Sequence, residues 1–463
     1  MDLISSQLAH FIANTSYDDI PDAIRSKAVR HTLDTIGAGI AGAISKESDL
    51  ITKLFSETGD LAGNVSLWGK GICVNSRNAA FHNGIASHAF ELDDTGGCDH
   101  SGAVVIPAAL AAVAQAGKPV TGREFIRAVV LGYDIARRAL ESCGGYEPHN
   151  GAGFHSTGTC GPMGAAAAAG VILNLSEHEL QSALGIATSY SAGFWAFIQN
   201  GGQNKRLHAG NAAQGGLTAA LLAKGGMVGP THAFEDVWGG FSKTLAPASD
   251  NREAWTAELG QNWKLARVSI KPYSCCRSTH SSIDGLLEIL NAHQLKPADV
   301  ASIRVIINPF VLGMCGKYTT DPMPAAQMSI PYALAAILVY GTATLGAYTR
   351  EKRANPKIKK TMARVQMVSD STQKDDDEPF VEVTTTAGAV YRTRVPMPLG
   401  APTNPIDDAS LLAKFMNCSN LVFDDETSKE IAETVLRLPE LEDARLINDL
   451  LALAPAHREL FHS

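Results

Sequence analysis

The sequence predicts a mainly α protein, in which a large all-helical domain carries a smaller α+β domain inserted near the C-terminus. Three observations support this prediction. The chain has 463 residues, more than one hydrophobic core usually organises. Helical periodicity runs through residues 3–228, whereas strand-like alternation follows Trp263. Because helical periodicity then returns, we assign residues 1–265 and 400–463 to the helical domain and residues 266–399 to the inserted domain.

The helical domain is predicted from amphipathic segments rich in alanine and glycine. The first long helix, at residues 22–36, follows Pro21, and the first turn of a helix tolerates proline. Small residues such as those at 164–170 allow helix axes to approach closely. A capping box formed by Ser176 and Glu179 marks the start of another helix. Further helices are predicted at 78–92, 104–116, 123–142, 162–173, 177–190 and 209–224.

The inserted domain is predicted from two strand patterns with a helix between them. Residues 302–307 alternate in the strand period, and residues 379–395 indicate a hairpin with its turn at Ala387 and Gly388. We interpret the acidic run at 375–378 as a solvated loop. Helical segments at 409–417, 428–437 and 444–453 are too short to fold alone, so we expect them to pack on the helical domain.

Composition excludes several classes of partner. The net charge is -8, and Lys and Arg concentrate only in a short cluster at 352–360, so we expect neither nucleic acid nor an anionic membrane as a partner. Residues 1–16 lack the features of a signal peptide, and no apolar segment is long enough to span a bilayer. We therefore expect a cytoplasmic protein.

Four segments combine loop-forming residues with reactive side chains. The first is rich in acids and contains His100, the second carries His155 into an Ala-rich helix, and the third presents Lys205. The fourth lies at the domain change and contains Lys271 and Arg277, so we expect it to form a wall of an interdomain cleft. So many ionisable groups are expected to shift one another's pKa values. The four segments are residues 91–102, 151–161, 200–211 and 270–280.

Simpler interpretations apply to single residues. Asp93 or Asp94 alone would serve as a helix cap, and His88 or His208 on a helix face is more often a packed histidine than a catalyst. The adjacent cysteines 275 and 276 offer a thiol nucleophile, but the eight cysteines contain no CxxC pair and are more simply packing residues.

Metal and dinucleotide sites are not expected. The acidic segment could gather a divalent ion, but it has no HxxxH or HxH spacing and no EF-hand register. The glycines at 151, 153 and 158 imitate a dinucleotide-binding loop, yet residues 146–150 before them are polar where an apolar strand is required. We therefore expect no metal and no cofactor.

Together the four segments resemble the MmgE/PrpD family, which includes 2-methylcitrate dehydratases, cis-aconitate decarboxylases and iminodisuccinate epimerases. The order of motifs carries the resemblance: His-Ala-Phe-Glu-Leu-Asp-Asp-Thr and His-Ser-Gly, then Phe-His-x-Thr, then Lys-x-Leu-His-x-Gly-Asn-Ala-Ala, then Lys-x-Tyr and Ser-Thr-His. The resemblance implies a helical domain built from both chain ends, an α+β lid domain, a homodimer and a small carboxylate substrate.

The resemblance also implies site residues. The matching positions give five catalytic candidates, His100, His155, Lys205, Lys271 and Tyr332. The substrate-binding candidates are Glu91, Asp93, Thr95 and Arg277. Two features depart from the family pattern. Glu91 stands where an aspartate is usual, and the proline of the family's His-Pro-Ser is absent after His100 in a loop that is one residue shorter.

These residue types suit proton transfer next to a carboxylate. Such chemistry needs a base, an acid and cations that hold carboxylates. His155 or a lysine would serve as base, His100 or Tyr332 as acid, and Lys205, Lys271 and Arg277 as clamps. Our leading hypothesis is a metal-independent dehydratase acting on a di- or tricarboxylic hydroxy acid of the 2-methylcitrate type. The alternatives are a cis-aconitate-type decarboxylase, an epimerase of an imino- or amino-dicarboxylate, and a non-catalytic carboxylate-binding protein.

Overall fold

Alanine- and glycine-rich helices make up the first half of the chain. The computed structural model describes residues 3–374 and 377–456. The helices here are α1 (Ile4–Asn14), α2 (Asp22–Gly42), α3 (Lys46–Thr58), α4 (Ser76–His88), α5 (Gly102–Val113), α6 (Gly122–Ser142), α7 (Tyr146–Gly151), α8 (Ser156–Ile172), α9 (Glu177–Ala187), α10 (Lys205–Lys224) and α11 (Phe241–Leu245). A short antiparallel pair, β1 (Val65–Leu67) and β2 (Ile72–Val74), interrupts them.

The central helices pack so closely that their backbones touch. A Cβ atom added at Gly164 of α8 would lie 2.5 Å from the carbonyl oxygen of Gly132 in α6. One added at Gly216 of α10 would lie 2.4 Å from the carbonyl oxygen of Pro162 in α8. Only glycine permits such close approaches, so the small residues predicted from the sequence do bring the helix axes together. As a result, α8 is buried along its whole length.

Several helices end or begin elsewhere than predicted, for example α10, which begins at Lys205 instead of residue 209. Helix α4 stops at His88 instead of residue 92, because Glu91 adopts a left-handed φ of 55° that a helix cannot contain. Helix α8 begins at Ser156, six residues before the predicted start, and it contains Pro162. The carbonyl that this proline leaves unbonded, that of Gly158, instead accepts the N–H of Ala192 at 3.3 Å.

The second half of the chain contains a four-stranded sheet flanked by helices. Strand β3 (Val300–Ile307) pairs in parallel with β4 (Val365–Ser369) and antiparallel with β5 (Phe380–Thr385), and β5 pairs antiparallel with β6 (Val390–Arg394), giving the order β4-β3-β5-β6. The predicted hairpin is confirmed, with Gly388 in the left-handed region at its turn. The helices are α12 (His280–Ala292), α13 (Pro309–Cys315), α14 (Met323–Gln327), α15 (Ile330–Tyr340), α16 (Arg350–Ala354) and α17 (Pro356–Met362).

The acidic run before β5 is only partly a solvated loop. Residues 375–376 lie outside the described part of the chain. The next two acids are engaged in ion pairs: Arg394 Nη2 lies 2.7 Å from Asp377 Oδ1, and Arg277 Nη2 lies 2.7 Å from Glu378 Oε1.

The C-terminal helices return to the first helices. They are α18 (Asp408–Ser419), α19 (Asp425–Leu436) and α20 (Arg445–Leu451). Lys414 of α18 lies 2.5 Å from the buried Asp34 of α2, and Asn448 of α20 donates to the carbonyl of Leu110 at 2.9 Å. The mainly α fold class with a small sheet is thus confirmed, whereas the domain limits remain a prediction. Over residues 3–374 and 377–456, none of the helices has the length and apolar character that crossing a bilayer demands.

Candidate active site

A cavity of about 220 Å³ lies where the loop after α4, the start of α10 and the segment before α12 meet. A larger cleft of about 790 Å³ shares several wall residues with it, so the cavity opens into that cleft. The cavity brings acids, bases and cations from distant parts of the chain together. It is lined by Glu91, Thr95, Gly96, Gly97, Asp99, His100, Arg137, Tyr146, Trp195, Lys205, Arg267, Cys276, Arg277 and Ser278.

The loop between α4 and α5 is held by buried Asp94. Its carboxylate accepts hydrogen bonds from the Tyr133 hydroxyl at 2.5 Å and from the Gly102 N–H at 3.0 Å, and it contacts His31 Nδ1 at 3.0 Å. Thr95 forms a pair of backbone hydrogen bonds with Ser269, which lies two residues before Lys271. These bonds fix the acidic loop both to the helical core and to the segment at the domain change.

His100 sits among carboxylates inside this loop. Its Nδ1 lies 2.8 Å from the carbonyl oxygen of Asp94 and 3.2 Å from Asp93 Oδ2, and its Nε2 lies 3.5 Å from Asp99 Oδ2. Burial alone would lower the pKa of His100, but the charges of Asp99 and Asp93 raise it above the ordinary value. His100 is therefore suited to hold and donate a proton.

His155 caps the N-terminus of α8 and is fully buried. Its Nδ1 lies 2.9 Å from His208 Nδ1, so one imidazole donates to the other. Trp195 packs edge-on against the ring at 5.2 Å between centroids. Burial lowers the pKa of His155 to about 4, so at neutral pH this imidazole is uncharged and can accept a proton.

Glu91 joins two lysines from different parts of the chain. Lys205 Nζ donates to Glu91 Oε1 at 2.5 Å, and Lys271 Nζ lies 3.5 Å from Glu91 Oε2. All three side chains are buried. Burial opposes ionisation of the glutamate, yet Lys205 and Lys271 hold its pKa well below the usual value. The left-handed backbone at Glu91 turns this carboxylate inward from the end of α4.

Three arginines line the opening between the cavity and the outer cleft. Arg137, Arg267 and Arg277 belong to the walls of both spaces. Arg137 pairs with Glu141 at 2.8 Å, and Arg277 pairs with Glu378 at 2.7 Å. These two carboxylates neutralise part of the positive charge that the two arginines present at the opening. Guanidinium groups in this arrangement attract carboxylates and can bind them through two parallel hydrogen bonds.

The structure brings most of the predicted site residues together. Five of them line the cavity, and three others are buried directly behind its wall. The lining residues are Glu91, Thr95, His100, Lys205 and Arg277. The residues behind the wall are Asp93, which contacts His88 and His100, His155, which lies 3.7 Å from Asp99, and Lys271, which contacts Glu91.

Two predicted roles require correction. Tyr332 lies in the core of the smaller domain, where its hydroxyl donates to the Ala347 carbonyl at 2.6 Å and its ring packs on Tyr348, so it does not reach the cavity. Asp93 is enclosed by His88 at 2.9 Å and His100 at 3.2 Å and does not line the cavity, so it orients these imidazoles instead of binding substrate.

Several site residues were missed by the sequence reasoning. His88, interpreted as a packing residue, packs against His100 with 4.2 Å between ring centroids and 46° between the ring planes. Its three-residue spacing from Glu91 was the available signal. Asp99 directly precedes His100 and was considered only as a metal ligand. Arg137 and Trp195 lie outside the four segments, and no local pattern marks them.

The site therefore combines a proton donor, a neutral base and several cations around one small cavity. This set can bind a multiply charged carboxylate, move a proton at an adjacent carbon and stabilise the charge that develops.

Comparison with known proteins identifies the family. The model of the MmgE/PrpD N-terminal domain matches residues 6–253, and that of the MmgE/PrpD C-terminal domain matches residues 273–439. A cis-aconitate decarboxylase from Aspergillus terreus is 28% identical over 476 residues, covering 97% of this chain and 96% of the relative. The cis-aconitate decarboxylase of Homo sapiens is 26% identical over 470 residues, covering 97% of this chain and 94% of the relative. Since both family domains match over most of its length, the chain belongs to the MmgE/PrpD family.

Proposed function

We propose that this MmgE/PrpD enzyme is a metal-independent lyase that decarboxylates an unsaturated tricarboxylic acid of the cis-aconitate type. The observation that carries the proposal is the single cavity in which Lys205 and the three rim arginines surround the proton donor His100. The names of the relatives favour decarboxylation over the dehydration of a 2-methylcitrate-type acid that the sequence first suggested.

Substrate binding follows from charge. A tricarboxylate would enter through the outer cleft past Arg137, Arg267 and Arg277, which supply positive charge at the opening. Inside, Lys205 provides a buried ammonium group whose interactions are strengthened because little water reaches it. The two carboxylates that remain in the product would bind these cations, leaving the third free to depart.

The proposed chemical step consumes one proton and releases one molecule of CO₂. His100 donates a proton to the alkene CH carbon, which binds it with the π electron pair of the existing double bond. The bond between the allylic CH₂ carbon and its carboxylate breaks, and that electron pair forms the new double bond to the central carbon as CO₂ leaves. The raised pKa of His100, which Asp99 and Asp93 maintain against burial, favours the protonated form that this step requires. Solvent then returns the proton to His100.

A second candidate is proton abstraction from the substrate, as in a dehydratase or an epimerase. The contact between Glu91 and Lys205 favours it, because a carboxylate in the wall neutralises one cation and leaves less positive charge for a trianion. The neutral His155 would then be the base.

Proton NMR in D₂O with EDTA-treated protein separates these functions. Given cis-aconitate, citrate, 2-methylcitrate and an amino-dicarboxylate, the proposed decarboxylase releases CO₂ from the unsaturated acid and places one deuteron in its product. An epimerase returns substrate with exchanged hydrogen, and a dehydratase forms a new alkene without loss of CO₂. Tight carboxylate binding without any turnover over hours would support the non-catalytic alternative.

We also propose a cytoplasmic homodimer with residues 266–399 as a lid. The large exposed side chains of Phe194, Val228 and Trp238 are candidates for the contact between the two copies. Sedimentation equilibrium tests it, and a monomer at micromolar concentration would exclude the dimer.

A further inference from the structure

The imidazoles of His88 and His155 lie close to that of His100, which lines the cavity. One ligand atom from each of these residues lies within 4.8 Å of the others, and all three rings are buried. They come from the end of α4, the loop before α5 and the start of α8, so no sequence spacing reveals the cluster. Three imidazoles facing one point are the protein ligands of many zinc sites.

Each ring is oriented by a hydrogen bond at Nδ1. His88 Nδ1 lies 2.9 Å from Asp93 Oδ2, His100 Nδ1 lies 2.8 Å from the Asp94 carbonyl oxygen, and His155 Nδ1 lies 2.9 Å from His208 Nδ1. Carboxylate and carbonyl acceptors of this kind fix the tautomer and ring direction of metal-bound histidines. Donation of the Nδ1 proton, by His88 to Asp93 and by His100 to the Asp94 carbonyl, leaves a lone pair on Nε2. His155 has the same tautomer when its Nδ1 is the donor to His208.

Two of these Nε2 atoms are unsatisfied. Among the described residues, neither His88 Nε2 nor His155 Nε2 has a hydrogen-bond partner, although both side chains are fully buried. Leaving a buried polar nitrogen unpaired is costly, and in native proteins it often marks a place for an ion or a water molecule. Asp99 supplies a nearby oxygen, since its Oδ2 lies 3.5 Å from His100 Nε2 and 3.7 Å from His155 Nε2.

The surrounding charge suits a divalent cation. The charged groups that act most strongly on the three imidazoles are three carboxylates and one ammonium group, which leave a net charge of -2 when the histidines are neutral. These groups are Glu91, Asp93, Asp99 and Lys205. Lys271, which pairs with Glu91 at 3.5 Å, brings the net charge of the surroundings to -1, which still favours a cation. An ion with Zn–N distances of about 2.0–2.1 Å needs nitrogens about 3.3 Å apart, so modest rotations of the rings would close the cluster around it.

We propose that His88, His100 and His155, with Asp99 as the fourth ligand, form a binding site for Zn²⁺. The ion is an inhibitor and not a cofactor: a zinc-bound His100 cannot donate the proton of the proposed reaction. This last consequence rests on the proposed function, whereas zinc binding itself does not.

The test uses full-length protein treated with EDTA and then freed of chelator. Isothermal titration with ZnSO₄ should give one site per chain, and Co²⁺ should give the visible absorption bands of a four-coordinate ion. Asp93→Asn, which removes a hydrogen-bond partner of a ligand, should weaken Zn²⁺ binding by roughly 10–100-fold. His155→Gln removes a ligand itself and should weaken binding by at least that factor. His178→Ala, which removes an exposed histidine, is the matched control and should bind as the unmodified protein does.

Circular dichroism and unfolding curves establish whether each variant is folded. If His155→Gln does not fold, His88→Gln takes its place in the test. The proposal fails if unmodified protein binds no Zn²⁺, or if folded His155→Gln and His88→Gln bind it as tightly as His178→Ala does. Zinc binding in a protein that turns over none of the tested acids supports the site while opposing the proposed function. Turnover unaffected by saturating Zn²⁺ would overturn the inhibitory role.

Discussion

Replacing Lys271 by methionine tests whether the buried charge cluster holds the site together. Methionine keeps most of the apolar volume of the lysine side chain and removes its charge. Glu91 would then retain only Lys205 as a contacting cation, at 2.5 Å. We expect Lys271→Met to fold, to lose stability and to lose activity.

The magnitude follows from the 3.5 Å separation of Lys271 Nζ and Glu91 Oε2. At that distance two unit charges attract by about 5 kcal/mol if the effective dielectric constant is about 20. Removing the only partner of a buried charge costs roughly 3–5 kcal/mol. Because Lys205 remains, the loss of unfolding free energy should be smaller, about 2 kcal/mol, as for a hydrogen bond to a charged group. We expect kcat/KM to fall by about 10²-fold, since the remaining glutamate draws Lys205 away from substrate.

Urea unfolding, circular dichroism and steady-state kinetics measure both effects. Lys70→Met is the control, because Lys70 forms a partly exposed pair with Asp49 remote from the cavity and should cost less than about 1 kcal/mol with unchanged kinetics. The double variant Glu91→Gln/Lys271→Met should lose less stability than the two single variants together. Additive losses, or a folded Lys271→Met with normal kcat/KM, would refute the reasoning.

Three further outcomes are expected. His100→Gln should lower kcat by about 10²–10⁴-fold while the fold is retained, because it removes the proton donor of the proposed reaction; circular dichroism beside kinetics checks it, and normal turnover in the folded variant would remove His100 from that role. Tyr332→Phe should cost about 1 kcal/mol through its lost bond to the Ala347 carbonyl and leave kcat/KM unchanged, so a large kinetic defect would restore its catalytic role. The free energy of unfolding should fall progressively as the pH drops below about 5, because each carboxylate with a lowered folded-state pKa loses its stabilising contribution between its ordinary pKa and the lowered one; a flat urea-unfolding profile would contradict this. The carboxylates are those of Glu91, Asp93 and Asp99.

The sequence predicted the positions of the helices better than it predicted the arrangement of the side chains in the site. Periodicity located α6, α9 and the β5–β6 hairpin closely, since their amphipathic patterns and caps are local. It placed the start of α8 six residues too late, because the Gly158 carbonyl and its partner Ala192 are 34 residues apart and no window of residues contains both. The end of α4 depends on the inward turn of Glu91. Ion pairs between Glu91 and two lysines far along the chain stabilise this turn.

The sequence likewise revealed only some of the residues of the candidate site. Histidines and lysines in glycine-rich motifs were recognised because residue type and order suffice to mark them. Tyr332 was misplaced because a motif match says nothing about which side of a helix faces a cavity. Arg137 and Trp195 were missed because each occupies an ordinary helical or loop context and acquires its position only when α6 and the segment after α9 fold against the acidic loop.

The attachment of the segment at 192–195 to the start of α8 has an evolutionary consequence. Backbone hydrogen bonds from Ala192 to Gly158, from His155 to Gly193 and from Trp195 to Gly153 hold this segment beside the base. Backbone bonds do not depend on side-chain identity, so the residue at position 195 can change while His155 keeps its place. One scaffold can therefore acquire new substrate preferences by single substitutions in this wall, without first losing its proton-transfer groups.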